Sequence, residues 1–150
     1  MRVVIQRVLK ASVTIEDTIV SEINKGILIL LGIENADTVE DIEWLSKKIV
    51  NLRIFNDENG VMNHSLIAEK GDAIVVSQFT LQASTKKGNR PSYLKAARPE
   101  IAIPLYKQFV NQIEKELNKK VGTGKFGADM KVSLINDGPV TILIDSKKRD

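Results

Sequence analysis

Ser77-Gln78-Phe79-Thr80-Leu81 places two hydroxyls, a carboxamide and several backbone amides at the head of a segment, Ala83 to Pro99, that holds Lys86, Lys87, Arg90, Lys95 and Arg98 without one acidic residue. Hydroxyl and amide donors suit the stabilisation of a developing oxyanion, and the positive field beside them suits a phosphate backbone. A second polar concentration, Asn136-Asp137-Gly138-Pro139-Val140-Thr141, has Gly-Pro at its centre. Read by pattern alone, the two segments also fit an ordinary strand and an ordinary turn, and the lysines and arginines fit a solvated loop.

The rest of the inventory narrows the chemistry by exclusion. With no cysteine, disulfide frameworks, thiolate metal sites and cysteine nucleophiles are out of reach. The single histidine, His64, sits among turn residues, so a Ser-His-Asp triad or a histidine-based metal site has little to build on, and no metal or other cofactor is expected. Gly122-Thr123-Gly124-Lys125-Phe126-Gly127 has the spacing of a dinucleotide fingerprint but follows a helical pattern and opens a strand, the reverse of the context that holds a pyrophosphate. Asp57-Glu58-Asn59-Gly60 fails as a calcium loop, because aligning its glycine leaves Phe55 and Leu66 at ligand positions. Hydroxyls, amides and the substrate itself remain. They suit a reaction with a low intrinsic barrier, such as hydrolysis of an activated ester.

The elements that must position these groups are legible in the apolar pattern. Arg2 to Leu9, Ala11 to Ile15, Thr18 to Ile23 and Gly26 to Ile33 read as three or four strands in a meander. Asp37 or Thr38 can cap a helix with Val39, Ile42, Leu45, Ile49 and Leu52 on one face. Asp72 to Leu81 reads as a central strand, and a second helix follows the basic loop, with Pro99 and Pro104 at or near its first turn and an apolar face running from Ala102 to Leu117. Met130 to Ile135 and Val140 to Ile144 close the chain as strands joined by the Asn136–Thr141 turn. Two helices against many strands predict an α+β fold: a single domain over residues 1–150, with a largely antiparallel, barrel-like sheet core and two main helices packed on it. Of the 150 residues 27% are charged, and the net charge of +3 is unevenly spread: residues 1–70 carry 8 Lys/Arg against 11 Asp/Glu, whereas residues 71–150 carry 14 against 8. The basic half is the one that holds both polar segments. No apolar run approaches the ~20 residues of a membrane span and the first residues do not form a secretory signal, so a soluble, cytoplasmic protein is expected.

The two segments, together with the opening Arg2-Val3-Val4-Ile5-Gln6-Arg7-Val8, resemble the D-aminoacyl-tRNA deacylase family, and the likeness extends to Gly26–Gly32, Arg53-Ile54-Phe55 and Gly88–Tyr93. The resemblance implies a homodimeric, cytoplasmic, metal-independent enzyme that hydrolyses the ester between a D-amino acid and the terminal adenosine at the aminoacylated 3′ end of tRNA, and also acts on mischarged glycine. It implies that Ser77, Gln78, Phe79 and Thr80 carry the chemistry, that Gly138-Pro139 is a cis pair reaching into the partner's pocket as a chiral filter, with Asn136 beside it, and that Arg7 braces it. For the chemical step it leaves Thr80 as nucleophile or water assisted by the ribose 2′-hydroxyl. The second is favoured, because a threonine needs a general base that neither motif supplies. Phe79 is a candidate stacking face for adenine or a core aromatic, and Lys86, Lys87 and Arg90 are candidate tRNA contacts. A non-catalytic RNA-binding module and a small-molecule esterase are the alternatives.

Overall fold

The structure, a computed structural model, describes residues 1–149. Its organising element is one long strand, β1 (Arg2–Ile15), where the sequence suggested two. One edge of β1 is followed along its length by β8 (Lys131–Asp145). The other edge is shared end to end by β2 (Thr18–Ile23), paired with Ala11–Ile15, and β3 (Gly26–Gly32), paired with Arg2–Val8. The opening is therefore a long bent hairpin, and the meander expected from sequence is corrected: β2 does not pair with β3 but continues into it. Opposite Val13 and Thr14, which face Ser21 and Ile19, Val20 is an extra residue that bulges β2 within its pairing with β1.

From β3 the chain passes through helix α1 (Val39–Asn51) and a small hairpin, β4 (Phe55–Asn56) with β5 (Met62–His64), before β6 (Asp72–Ser77) returns parallel to β3. Helix α2 (Pro99–Leu117) and the short β7 (Gly122–Thr123), parallel to β6, lead to β8. The sheet is thus antiparallel around β1 and parallel at its β3–β6–β7 side, and β2 curls toward β6 and β7 so that the sheet is nearly closed.

The unbroken apolar run of β3 follows from burial on both faces. Ile27, Ile29 and Leu31 join Val3, Ile5, Ala73 and Val75 beneath the helices, while Leu28 joins Val8, Val13, Ile74 and Val76 in a second cluster on the opposite face. Helix α1 contributes Ile42, Leu45 and Ile49 to the first cluster, and α2 contributes Ala102, Tyr106, Phe109 and Ile113. Thr38 takes the cap of α1, its N–H donating to Asp41 Oδ2 at 2.8 Å. Asp37 instead meets the buried N-terminal ammonium, which also donates to Ser146 Oγ at 2.9 Å. Pro99 opens α2, and Pro104 lies within it, in its second turn.

Candidate functional site

Both polar segments depart from their sequence reading, and each departure creates a feature of the site. β6 was predicted to run to Leu81, yet it ends at Ser77, and Phe79–Gln82 form a 3-10 turn. Gln78 donates its N–H to Leu31 O at 2.7 Å, the last backbone-to-backbone tie to the sheet, and the turn closes with Leu81 N–H on Gln78 O at 3.2 Å and Ala83 N–H on Thr80 O at 3.0 Å. This leaves the amides of Phe79 and Thr80 at the opening of the turn, where N–H groups have no partner within it. The turn packs hard on the end of β3: a β-carbon at Gly32 would lie 2.7 Å from Leu81 Cβ and 3.0 Å from Gln78 O, so only glycine admits this approach.

Consecutive residues of the turn face different spaces. Ser77, Gln78 and Phe79 line a cavity of about 280 Å³, walled by Leu31, Val76, Phe126, Met130 and Val132. Thr80 and Leu81 line a separate, wider groove of about 1080 Å³ with Arg2, Trp44, Leu143 and Arg149. Phe79 is 55% exposed, which removes the core alternative for this ring. Tyr106 supports the cavity from behind. Its ring meets Phe126 edge-on with centroids 6.1 Å apart, and its hydroxyl donates to Val75 O at 2.7 Å; burial pushes the phenol up to about 12, so it stays protonated. The Thr80 hydroxyl receives a hydrogen bond from the Gln78 carboxamide. A carboxamide is not a base at neutral pH, and His64 lies in β5 with its Nδ1 2.9 Å from Glu69 Oε1.

The second segment was predicted to be a turn between two strands, but it is a bulge inside one. Val8 faces Asn136 and Gln6 faces Thr141, so β8 takes five residue steps where β1 takes two. Both flanks keep the same direction, and the excess residues, with a cis Gly138-Pro139 bond among them, are pushed out of the ladder. Asn136 closes the base of the bulge: its Oδ1 accepts the Val140 N–H at 3.0 Å and its Nδ2 donates to Thr141 Oγ1 at 2.8 Å.

Arg7 stands opposite the bulge and is only 6% exposed, so it is not an ordinary strand-surface residue. Its Nε donates to Asp137 O at 3.0 Å and lies 3.3 Å from Asp137 Oδ2; its Nη1 donates to Ile54 O at 2.6 Å and to Asn56 Oδ1 at 3.3 Å. The guanidinium therefore ties the bulge to the β4 hairpin. Asn56 was missed by sequence reasoning, and Ile54 and Thr141, though inside segments that carry the family resemblance, were given no role of their own. A carbonyl acceptor carries no side-chain signal, and the other two are identifiable only once β1, β4 and β8 are brought together.

Lys86, Lys87 and Arg90 are exposed on the tip of a loop whose root is pinned by paired Ser84 and Ser92, 2.8 and 2.9 Å. None of the three reaches a carboxylate among the described residues. The structure thus unites Ser77, Gln78 and Phe79 in one cavity and Arg7 with Gly138 at the bulge. It does not bring these two groups into a common cavity within one chain.

The chain is thus an α+β protein with two helices packed on a curled sheet, whose site combines hydroxyl and amide donors on a 3-10 turn with a cis Gly-Pro bulge braced by a buried arginine. Residues 4–145 match the family model described as D-Tyr-tRNA(Tyr) deacylase. The chain is 70% identical to the D-aminoacyl-tRNA deacylase of Flavobacterium psychrophilum and 66% identical to that of Bacteroides fragilis, in both cases over the full length of both chains. Among solved structures, a c-Myc DNA unwinding element binding protein superimposes with a TM-score of 0.90 at 43% identity, over 97% of this chain and 98% of that one. A probable eukaryotic D-amino acid tRNA deacylase gives a TM-score of 0.83 over 95% and 97% of the two chains, and at 16% identity it shows likeness of fold alone. The chain belongs to the D-Tyr-tRNA(Tyr) deacylase family.

Proposed function

We propose that this protein hydrolyses the ester linking a D-amino acid, or mischarged glycine, to the terminal adenosine of tRNA. One observation carries the reading: the donor-rich end of β6 and its 3-10 turn form the rim of an apolar cavity of about 280 Å³, large enough for a purine, in a chain of this family. The nucleoside enters between Phe79 and Phe126, and Ser77, Gln78 and the amides of Phe79 and Thr80 meet the ribose and the reacting carbonyl. Water bonds to the carbonyl carbon, the bond to the ribose 3′-oxygen breaks, and the neighbouring 2′-hydroxyl relays the water's proton to that oxygen. Amide donors on the developing oxyanion contribute ~10²–10³ in rate each. Thr80 is not the nucleophile on this reading, since its hydroxyl already accepts from a group that cannot take its proton.

The working unit is a homodimer in the cytoplasm, where charged tRNA is found. The separation of the two motifs within one chain supports this, as does the groove beside Thr80, where Leu143 is 65% exposed. The partner's Gly138-Pro139 completes the site and admits only the D configuration by steric exclusion. Asn136 acts by holding the bulge in shape, and Arg7 by fixing its direction. Lys86, Lys87 and Arg90 contact tRNA phosphates.

The test is release of free tyrosine from D-tyrosyl-tRNA beside L-tyrosyl-tRNA, with rising salt. Rapid release from the D substrate alone, weakening with salt, is expected. Binding of tRNA without hydrolysis would leave the RNA-binding alternative in its place, and equal hydrolysis of simple esters would leave the small-molecule esterase.

A further inference from the structure

Among the exposed apolar side chains, three gather at one place beside the cavity. Phe79, 55% exposed, and Tyr93, 39% exposed, meet edge-on with ring centroids 5.0 Å apart, and the next residue, Leu94, is 90% exposed. Tyr93 adjoins Phe79, which lines the cavity, and stands one residue past the Ser84–Ser92 pair at the root of the loop whose tip bears Lys86, Lys87 and Arg90. The position of Tyr93 is built into the fold. The Ser84–Ser92 pair fixes the loop one residue before Tyr93, the Ala96 N–H returns to Tyr93 O at 3.0 Å, and Ala97 is tied to Ile33 O at 2.9 Å. An aromatic surface held open to solvent has no role in the core.

We propose that Tyr93 and Leu94 form a stacking platform for the unpaired nucleotides that precede the terminal adenosine, a contact separate from both the cavity and the basic tip. Single-stranded nucleic acid is gripped where aromatic faces alternate with a positively charged track. Here the track is supplied by a stretch of chain, Ala83 to Pro99, with five basic residues and no acid. The cavity adjoins the aromatic pair and the pair adjoins the root of the cation-bearing loop, which matches a strand whose last base is buried, whose preceding base lies on a ring and whose phosphates then run toward Lys86, Lys87 and Arg90. Because stacking releases no counterions, its contribution is independent of salt, unlike that of the lysines and arginine.

The inference rests on the deacylase reading, and the experiment separates the two. Hydrolysis by wild type, Tyr93→Ala, Tyr93→Phe and Leu94→Ser is measured on D-tyrosyl-tRNA, on a D-tyrosyl-C-C-A trinucleotide and on D-tyrosyl-adenosine, with oligomeric state checked by light scattering. Tyr93→Ala is expected to raise KM about tenfold on the tRNA and the trinucleotide, to leave D-tyrosyl-adenosine unchanged, and to keep the wild-type salt slope; Tyr93→Phe restores KM. An equal loss on D-tyrosyl-adenosine would overturn the proposal, since Tyr93 then merely props Phe79. So would an unchanged KM on tRNA, or dissociation of the oligomer, which would make the patch a contact between copies. Failure of the wild type on all three substrates would instead overturn the deacylase reading itself.

Discussion

Replacing Gly138 with alanine tests whether the bulge works through its backbone. Gly138 has φ +129°, and a β-carbon there would lie 2.9 Å from Val140 Cγ2, 3.0 Å from Arg7 Nη2 and 3.1 Å from Val140 N. Carbon contacts relax near ~3.5–4.0 Å, so each of these is short by about half an ångström. The Val140 side chain can turn aside, but its N–H is held by Asn136 Oδ1 at 3.0 Å, and the guanidinium is held by Asp137 O and Ile54 O. The bulge itself has to move. Holding a non-glycine residue in this region of φ costs ~1–3 kcal/mol, and a shift of about 1 Å at a reacting centre costs about 10²-fold in rate. Gly138→Ala should therefore lose about 100-fold in kcat/KM on D-tyrosyl-tRNA, with urea midpoints reporting a stability loss of ~1–3 kcal/mol. The D-over-L ratio, measured with both charged tRNAs, should shrink with it. A variant that folds and keeps the wild-type rate and ratio refutes the reasoning, and Gly138-Pro139 is then only an irregularity in β8.

Removing the cations of the loop tip, Lys86→Ala with Lys87→Ala and Arg90→Ala, should lower the salt dependence of tRNA binding by about two in log-log slope and leave D-tyrosyl-adenosine turnover unchanged; an unaltered slope in filter binding returns the loop to plain solvation. Thr80→Ala keeps the backbone N–H and should retain more than about a tenth of kcat, whereas a loss of about 10⁴ with intact substrate binding would mark Thr80 as the nucleophile. Burial pushes the Asp41 carboxyl up, but donors from Lys147, Ser146 and the Thr38 amide outweigh it and hold the group at about 2 against an ordinary 3.8. Its folded-state pKa is depressed, so its stabilising contribution is present above pH 3.8 and disappears as the pH falls through about 2. Asp41→Asn should flatten that part of the acid-denaturation curve and lower stability at neutral pH; an acid branch identical to wild type would refute the assignment.

Sequence alone determined both helices, the main strand-forming segments and the toolkit. Alternating apolar positions in Arg2–Ile15 and the solid run Gly26–Gly32 specify half-buried and fully buried strands, and the spacing from Ile42 to Ile49 specifies a helix, because each reports the local period of burial. The absence of cysteine and the presence of one histidine likewise fixed which chemistry was open, and SQFTL with NDGPVT pointed to the family. What the pattern could not contain was pairing. Ser77–Leu81 reads as a continuous strand because its residues tolerate one; the 3-10 turn arises only because Gly32 at the end of β3 lets Leu81 and Gln78 close on it. Asn136–Thr141 has turn residues, and only the antiparallel register of both flanks on β1 makes it a bulge rather than a reversal. The bracing role of Arg7 has no signal in its own segment: it needs the Ile54 carbonyl just before β4 and Asp137 of β8. Local propensity is set by neighbours in the chain, whereas these three features are set by hydrogen bonds and close contacts between residues 47 to 130 positions apart, or from strands that meet only in the folded sheet.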